Sequence, residues 1–390
     1  MKNKKVKIIK PNINISSSIS VLHYLPTEVI QEILSRLPIN SLFESRYVCH
    51  SWRDLIINDT HFPIKHYIQV CRRIRPITSL IVYACDFNEL YYIPDFNRFD
   101  NLVKFNKLSF KSWLPTFKVI GSCNGFICLA DDSGRYRSIF ICNPVIGDVY
   151  LVPDNDTFFG YAHGAYFGFG YDMKTNIYKV VKMRYITDEK YYQAEIHTLG
   201  TNTWRNLGKV KEILGHHSTS SGVLVNGSLH WLGTLHGSET ASIVMVNLAD
   251  EKLQDILPIS IESIVGEINR GYHMGELGGR LIIVDTGCLE YVNVWVMEEY
   301  GIWASWTKQF SVKRPPVSGI AGCICFRPLV VQENGDILIE VFGGALFVYN
   351  PTKRRPYRKI YNKGLPALFK AVPHAGTLVP FKHAIETVWM

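Results

Sequence analysis

Between residues 25 and 63 the apolar positions follow the spacing of short α-helices. In "LPTEVIQEILSRLP" they recur three or four residues apart, which places them on one face of a helix. The residues of this face are Val29, Ile30, Ile33, Leu34 and Leu37. Pro26 is tolerated in a first helical turn, and Pro38 ends the helix because proline has no backbone N–H to donate.

Two further short helices are predicted after Pro38. Asn40 or Ser41 can cap the first of them, and Ser51 can cap the second. Their apolar residues are Leu42, Phe43, Tyr47 and Val48 in the first, and Trp52, Leu55 and Ile56 in the second. Each helix is shorter than the roughly 12–15 residues that an isolated helix needs in water, and a unit of about 40 residues is marginal as a core. We therefore expect some of these apolar side chains to face a partner.

After about residue 70 the helical period gives way to short apolar runs that alternate with turn clusters. These runs are rich in Tyr, Phe, Val and Ile, which is typical of β-strands. Five units of several strands each can be recognised, at residues 125–153, 168–208, 222–258, 275–310 and 329–360. Residues 78–93 are expected to form part of one more.

The five units repeat at a regular interval. Aligned on the turn after the third strand, they meet at Asn143, Thr198, Asn247, Val296 and Asn350, so that the spacings are 55, 49, 49 and 54 residues. A period near 50 with about four strands per unit predicts an all-β propeller of six blades, with five to seven open. A two-sheet sandwich is the alternative, and the regular period argues against it.

Closing such a ring requires the two ends of the domain to meet, because an open seam leaves an unpaired strand edge. The first candidate blade is short of strands. The apolar run "HAGTLVPF" at residues 374–381 follows the last unit. We expect this run to pair with the strands at residues 78–93.

The chain has 390 residues and a net charge of +8, and the length favours two domains. Five lysines lie within the first ten residues, so residues 1–20 are expected to be a disordered basic tail, and a weak nuclear-import signal or a contact with an anionic surface are the alternatives. Because so much of the positive charge lies in this tail, the net charge says little about a nucleic-acid surface on the folded body. No apolar run approaches the roughly 18 residues of a membrane span, and no secretory signal is expected. Nine scattered cysteines favour free thiols in the cytoplasm or nucleus.

The candidate chemical motifs all favour structural roles. His216 and His217, with His230 and His236 nearby, are expected to be loop or surface histidines because adjacent side chains on a strand point apart. The cysteine pairs Cys123/Cys128 and Cys323/Cys325 have no second pair for a zinc site. Asp131 to Gly134 is expected to be a hairpin turn.

Five tryptophans lie at blade-like positions and are expected to pack between blades, namely Trp204, Trp231, Trp295, Trp303 and Trp306. No hydrolase, nucleotide-binding or metalloprotease motif is found, so neither a catalytic residue nor a metal or cofactor is expected.

The opening segment resembles a known family. "LPTEVIQEILSRLPINSLFESRYVCHSWRDLI" is similar to the plant F-box over residues 22–63. The later motifs "GSCNGFICL", "GFGYDMKTNIYKVV", "NGSLHWL" and "LFVYNPTKRR" resemble the plant F-box-associated, kelch-like interaction domain. His50 stands where a lysine is commoner in the family, and Tyr47 where a smaller residue is usual.

The resemblance implies a three-helix F-box at residues 22–66 and a propeller at 70–385 that recognises a protein substrate. It implies binding to a Skp-type adaptor and, through it, a cullin of an SCF-type ubiquitin ligase, with no nucleic acid or membrane as partner. The adaptor-binding positions carried over from the family are Leu25, Pro26, Ile33, Leu34, Leu37, Pro38, Leu42, Val48 and Trp52. Substrate-binding residues are unknown, and the loops at 154–164 and 212–221 are plausible contact surfaces.

Two alternatives from other classes remain open. A glycan- or ligand-binding propeller, or a propeller enzyme, would have a polar central pocket and bind ligand without the adaptor. An F-box scaffold acting outside a ligase would bind the adaptor without changing the half-life of any protein.

Overall fold

The fold is described from a computed structural model of the chain. The structure describes residues 25–72, 79–84, 89–95, 103–104, 117–131, 138–154, 165–187, 189–211, 213–214, 221–234, 241–254, 272–288, 290–314, 326–341, 344–353, 358–360 and 364–386. The chain divides into two compact units, which comprise residues 1–74 and 75–390.

The first unit is helical. Its helices are α1 (Thr27–Leu34), α2 (Ile39–Ser45), α3 (His50–Ile57) and α4 (Phe62–Arg72). The three predicted short helices are confirmed, and α4 follows them and continues past residue 66.

The helix starts correct two of the predicted caps. Helix α2 begins directly after Pro38 and α3 directly after Cys49, so Asn40, Ser41 and Ser51 are not the capping residues. Pro38 suits the position before a helix because its fixed φ of −56° and extended ψ of 147° direct its carbonyl into the first turn, where the Leu42 N–H donates to it at 2.9 Å.

The core of the first unit is small. It contains Leu34, Leu42, Leu55, Ile56 and Phe62, all of which are buried. One further contact ties α4 to the corner between α1 and α2, because Nε2 of the buried His66 lies 2.9 Å from the carbonyl oxygen of Leu37.

The second unit is a six-bladed β-propeller, as predicted. Each blade is one antiparallel sheet, and the strand order is unbroken except in blades 1 and 4. Blade 1 contains β1 (Leu80–Ala84), β2 (Glu89–Ile93), β3 (Val103–Lys104) and the last strand of the chain, β25 (Phe369–Pro373). Blade 2 contains β4 (Phe117–Cys123), β5 (Phe126–Asp131), β6 (Ile139–Asn143) and β7 (Asp148–Val152). Blade 3 contains β8 (Tyr166–Asp172), β9 (Ile177–Ile186), β10 (Tyr191–Thr198) and β11 (Trp204–Val210).

The remaining blades follow the same plan. Blade 4 contains β12 (Ile213–Leu214), β13 (Val223–Val225), β14 (Ser228–Thr234), β15 (Ala241–Asn247) and β16 (Lys252–Gln254), and both β12 and β13 pair with β14. Blade 5 contains β17 (Tyr272–Leu277), β18 (Arg280–Asp285), β19 (Tyr291–Met297) and β20 (Trp306–Lys313), with a 3-10 turn at Trp303–Ser305. Blade 6 contains β21 (Phe326–Val331), β22 (Ile337–Val341), β23 (Ala345–Tyr349) and β24 (Arg358–Ile360). Six separate sheets exclude the two-sheet sandwich.

Three of the five predicted repeat positions share one structural role, whereas Val296 lies inside β19 and not at a turn. Asn143, Asn247 and Asn350 each lie at the end of the third strand of a blade, and the side-chain oxygen of each accepts a backbone N–H two residues later at 3.0–3.1 Å. An asparagine in this position fixes the turn to the fourth strand, which explains why the motif recurs with the blade period.

The ring closes through the C-terminal part of the chain. Strand β25 pairs antiparallel with β1, with Leu80 opposite Pro373 and Ala84 opposite Phe369, and it contacts β4 and β21 on its two sides. Blade 1 is therefore assembled from both ends of the domain. The pairing strand is 369–373 and not 374–381 as predicted, since only His374 reaches the first blade, where its N–H donates to the Ser79 carbonyl at 3.1 Å.

Residues 374–386 cross blade 2. The Asn143 side-chain amide donates to the carbonyls of Thr377 and Val379 at 3.0 and 2.9 Å, and the Phe381 N–H donates to Asp148 at 2.6 Å. A short helix α5 (Phe381–Glu386) follows. Gly125, with φ +85°, lies beneath this segment, and a Cβ there would stand 2.2 Å from Thr377. The segment is apolar because it covers blade 2, and not because it forms a strand.

Candidate functional site

The nine residues assigned to adaptor binding differ in their exposure. Leu34 and Leu42 are buried, Leu25, Leu37 and Trp52 are half-buried, and Pro26, Ile33, Pro38 and Val48 are exposed. The buried pair holds the helices of the first unit together, whereas the exposed four are accessible to a partner. The structure thus separates two roles that the sequence pattern leaves combined.

Ile33 and Leu34 illustrate this separation within one helix. Adjacent helical residues point about 100° apart, so Leu34 enters the core at 0% exposure while Ile33 stays 43% exposed. Val48 is 58% exposed. Burying an aliphatic side chain of this size stabilises a protein or a complex by about 1.5–3 kcal/mol. The first unit does not bury these two side chains itself, so a partner that covers them would gain this stabilisation.

Three further exposed apolar residues in this unit were not assigned to adaptor binding, namely Val29, Tyr47 and Ile57. Val29 precedes Ile33 by one helical turn, and this spacing could have identified it. Of the 13 large apolar residues that are exposed in the described part of the chain, five lie within residues 25–72. Their concentration in a small unit is typical of a protein-binding surface.

Arg46 connects two aromatic residues of this surface. Its guanidinium carbon lies 5.1 Å from the ring centre of Phe43 and 4.7 Å from that of Tyr47. Its Nη2 also donates a hydrogen bond of 2.7 Å to the Tyr47 hydroxyl. The tyrosine ring is therefore held in one orientation although it is 77% exposed.

Charged contacts link α1 to α4. Arg36 donates to Glu32 one helical turn away, and the Lys65 ammonium lies 3.4 Å from the second carboxylate oxygen of Glu32. The hydrogen bond from Arg36, together with that from Lys65, holds the pKa of Glu32 below its ordinary value. Burial lowers the pKa of His66, so its ring is neutral at neutral pH and contacts the Leu37 carbonyl uncharged.

In the propeller, His230 corrects one expectation. It lies in β14 and is buried, and is not a loop or surface histidine. Its Nδ1 lies 3.1 Å from the Val223 carbonyl and its Nε2 lies 3.1 Å from the hydroxyl of Tyr300 in blade 5. Burial lowers its pKa to about 4. The ring therefore joins two blades. His216, His217 and His236 lie outside the described residues.

The other candidate motifs have packing roles where they are described. Trp204, Trp231 and Trp306 are buried, and Trp295 and Trp303 pack against the core between blades 4 and 5, as predicted. Cys49, Cys128, Cys142 and Cys288 are free thiols. Cys323 and Cys325 lie outside the described residues, as do residues 132–134 of the predicted hairpin turn and most of the loops at 154–164 and 212–221.

The described residues include no group of three His, Cys, Asp or Glu side chains that could hold a metal ion. Within the same residues, no helix is long and apolar enough to cross a membrane.

Comparison with known proteins identifies both units. Residues 22–62 match the F-box domain family, and residues 82–370 match the F-box associated beta propeller domain family. F-box protein At3g07870 of Arabidopsis thaliana is 30% identical to the chain, and the alignment covers 94% of each sequence. F-box protein CPR1 of the same plant is 24% identical over 91% of this chain and 88% of that protein. Among solved structures, a nidogen/laminin complex covers 75% of this chain and 97% of that chain with a TM-score of 0.44 and 12% identity.

These matches show that the chain belongs to the F-box proteins that carry an F-box associated β-propeller domain. The F-box precedes the propeller. An F-box implies binding to a Skp-type adaptor, and proteins of this family generally serve in substrate recognition.

Proposed function

We propose that this chain is the substrate-recognition subunit of an SCF-type ubiquitin ligase, which directs a protein target to ubiquitination and degradation. The first unit binds a Skp-type adaptor and, through it, a cullin. The propeller binds the target. The observation that carries the proposal is the set of exposed apolar side chains, Ile33 and Val48 among them, on a helical unit too small to stand alone.

The nine adaptor-binding positions take different parts in this proposal. Pro26, Ile33, Pro38 and Val48 contact the adaptor directly because they are exposed. Leu25, Leu37 and Trp52 contribute the edges of the contact, whereas Leu34 and Leu42 act as positioning residues beneath it. The F-box is proposed to span residues 22–66 and the propeller domain 70–385.

The proposed mechanism is proximity. Ubiquitin transfer takes place on other subunits, and this chain contributes binding energy and orientation rather than a catalytic residue. Holding a target lysine beside the charged conjugating enzyme raises the effective concentration of the reacting groups. A rigid propeller suits this role because its blades are joined all round the ring. The chain is proposed to act in the cytoplasm or nucleus, in keeping with the free thiols of its described cysteines.

The proposal is tested by affinity purification from cells in which the proteasome is blocked. The full-length chain should recover adaptor, cullin and at least one ubiquitinated protein. A chain that lacks residues 22–63 should retain the target and lose adaptor and cullin, and the target's half-life should lengthen when this truncated chain is overproduced. Adaptor binding without any change in the half-life of a bound protein would instead favour a scaffold outside a ligase.

A further inference from the structure

Three side chains at the end of α2 and in the connection to α3 form a stack, namely Phe43, Arg46 and Tyr47. The Arg46 guanidinium lies over both rings, at 5.1 and 4.7 Å from their centres, and hydrogen-bonds to the Tyr47 hydroxyl. A planar guanidinium stacks on aromatic faces in a way that a lysine ammonium does not. The stack is thus a preformed surface and not a set of independent side chains.

Arg46 has no carboxylate partner within the part of the chain that the structure describes. The acid Glu32 of α1 pairs with Arg36 and Lys65. The Nε atom of Arg46 is buried without a hydrogen-bond acceptor. The Nη2 of Arg46 donates to Tyr47 and its Nε is buried away from any partner, so Nη1 is the donor that remains for an acid supplied from outside this chain.

Tyr47 offers a large apolar area beside this charge. It is 77% exposed, and the next residue, Val48, is 58% exposed. Fixing an exposed ring costs side-chain entropy, which is recovered when a partner covers the ring. Tyrosine and arginine are also the residue types that are enriched among the strongest contacts of protein interfaces.

We propose that the Phe43–Arg46–Tyr47 stack is a specificity-determining extension of the adaptor-binding surface, in which the Tyr47 ring packs on apolar surface of the Skp-type adaptor and Arg46 binds an adaptor carboxylate. The proposal rests on the proposed function, since its occupant is the adaptor. The stack is continuous with Val48, which belongs to the proposed contact. It discriminates between adaptors, because one that places a basic or bulky side chain opposite the stack leaves Arg46 unpaired and Tyr47 uncovered.

The test is a titration of the full-length chain with a purified plant Skp-type adaptor at low and at high salt. Tyr47→Ala should weaken binding about tenfold, and Tyr47→Phe, which keeps the ring, should weaken it less. Arg46→Gln should weaken binding at low salt and reduce its salt dependence, since it removes one charged contact. Arg46→Lys, which keeps the charge and loses the planar fork, should restore the salt dependence but not the full affinity. Tyr291→Ala, which removes an exposed tyrosine of the propeller, is the matched control and should bind as the wild type does.

The outcomes separate this inference from the proposed function. A wild-type chain that does not bind the adaptor would contradict both. If Val48→Asp abolishes adaptor binding while Tyr47→Ala and Arg46→Gln stay within twofold of the wild type, the stack is not a contact and only the further inference is wrong. A wild-type dimer that Tyr47→Ala dissociates would assign the stack to self-association and would also overturn it. Thermal unfolding of each variant checks the fold, and the conservative variants at positions 46 and 47 decide the question if the alanine variant misfolds.

Discussion

The ammonium nitrogen of Lys179 in blade 3 lies 2.9 Å from a carboxylate oxygen of Asp172 in its own blade and 2.9 Å from one of Glu251 in blade 4. Lys179 and Asp172 are almost fully buried. Burial by itself would raise the pKa of Asp172, but hydrogen bonds from Thr175 and Lys179 more than offset this and lower it. Glu251 adopts φ +50°, a left-handed conformation that favours glycine, and its ion pairs with Lys179 and Arg205 offset that strain. One buried lysine thus joins two neighbouring blades.

Replacing Lys179 should strongly destabilise the propeller. Lys179→Met leaves two carboxylates without their shared buried cation, and removing one partner of such an arrangement costs about 3–5 kcal/mol. The melting temperature should fall by roughly 10 °C. Lys174→Met is the matched control, because its ion pair with Asp250 is exposed, and exposed pairs are worth about 0–1 kcal/mol. Equal shifts for the two variants would show that the buried network does not hold the blades together.

Removing the closing strand should open the ring. Ending the chain after Leu368 deletes β25, exposes the edge of β1 and leaves Glu340 and Arg327 of blade 6 without the Ala371 backbone groups they contact. The loss should reach several kcal/mol of a total stability of about 5–15 kcal/mol. We expect an insoluble propeller, measured as the soluble fraction after expression. Ending the chain after Glu386 instead is the control and should leave solubility unchanged; a soluble chain of 368 residues with the parent melting temperature would refute the closure.

The closure shows how far the sequence determines the fold. The blade period could be predicted because each Asn at positions 143, 247 and 350 fixes the same turn, which is a local interaction. The closing strand was placed about five residues too late. In Phe369–Pro373 burial alternates, with Phe369 and Ala371 buried and Lys370 exposed between them, which is the period of a strand. The adjacent residues Leu378 and Val379 are both buried, and they belong to no strand. Apolar composition alone cannot distinguish a strand from a segment that covers a neighbouring blade.

In the F-box, the sequence does not show which apolar side chains are buried and which are exposed. The helical period places Ile33 and Leu34 on one face of α1 and cannot separate them, because a stripe wide enough to include both spans core and surface. The orientation of Tyr47 depends on a stack with Arg46 that has no sequence period at all. Which side chains stay exposed is decided by how the helices pack, and the sequence period does not contain that information.

Substituting the neighbouring residues Ile33 and Leu34 by alanine should therefore affect two different properties, adaptor binding for Ile33 and stability for Leu34. Leu34→Ala removes a fully buried side chain and should cost about 2–5 kcal/mol of helical-unit stability. Ile33→Ala should leave stability within about 0.5 kcal/mol of the wild type and should weaken adaptor binding. Helical circular dichroism during unfolding measures the first effect, and a titration with purified adaptor measures the second. If Ile33→Ala lowers stability as much as Leu34→Ala does, the exposed position of Ile33 is wrong.

The junction between β25 and the segment that crosses blade 2 contains a buried histidine. His374 is fully buried, its Nδ1 lies 2.9 Å from the Ser122 hydroxyl, and its ring meets Tyr92 edge to face at 6.2 Å. Burial lowers its pKa to about 3, because the charged imidazolium would lose its hydration there. The folded propeller therefore keeps this ring neutral at pH values where the unfolded chain protonates it.

Acid should destabilise the propeller well above the pH at which carboxylates protonate. With a folded pKa of about 3 and an unfolded value near 6.5, His374 contributes stability that is complete above pH 6.5 and is lost as the pH falls toward 3. The slope for one such group is about 1.4 kcal/mol per pH unit, and His230 adds to it. Urea unfolding of the propeller between pH 7.5 and 5 measures the slope. His374→Asn, whose side chain can still accept the Ser122 hydrogen bond, should reduce proton uptake on unfolding by about one. An unchanged slope in His374→Asn would mean that His374 takes up its proton in the folded state as well.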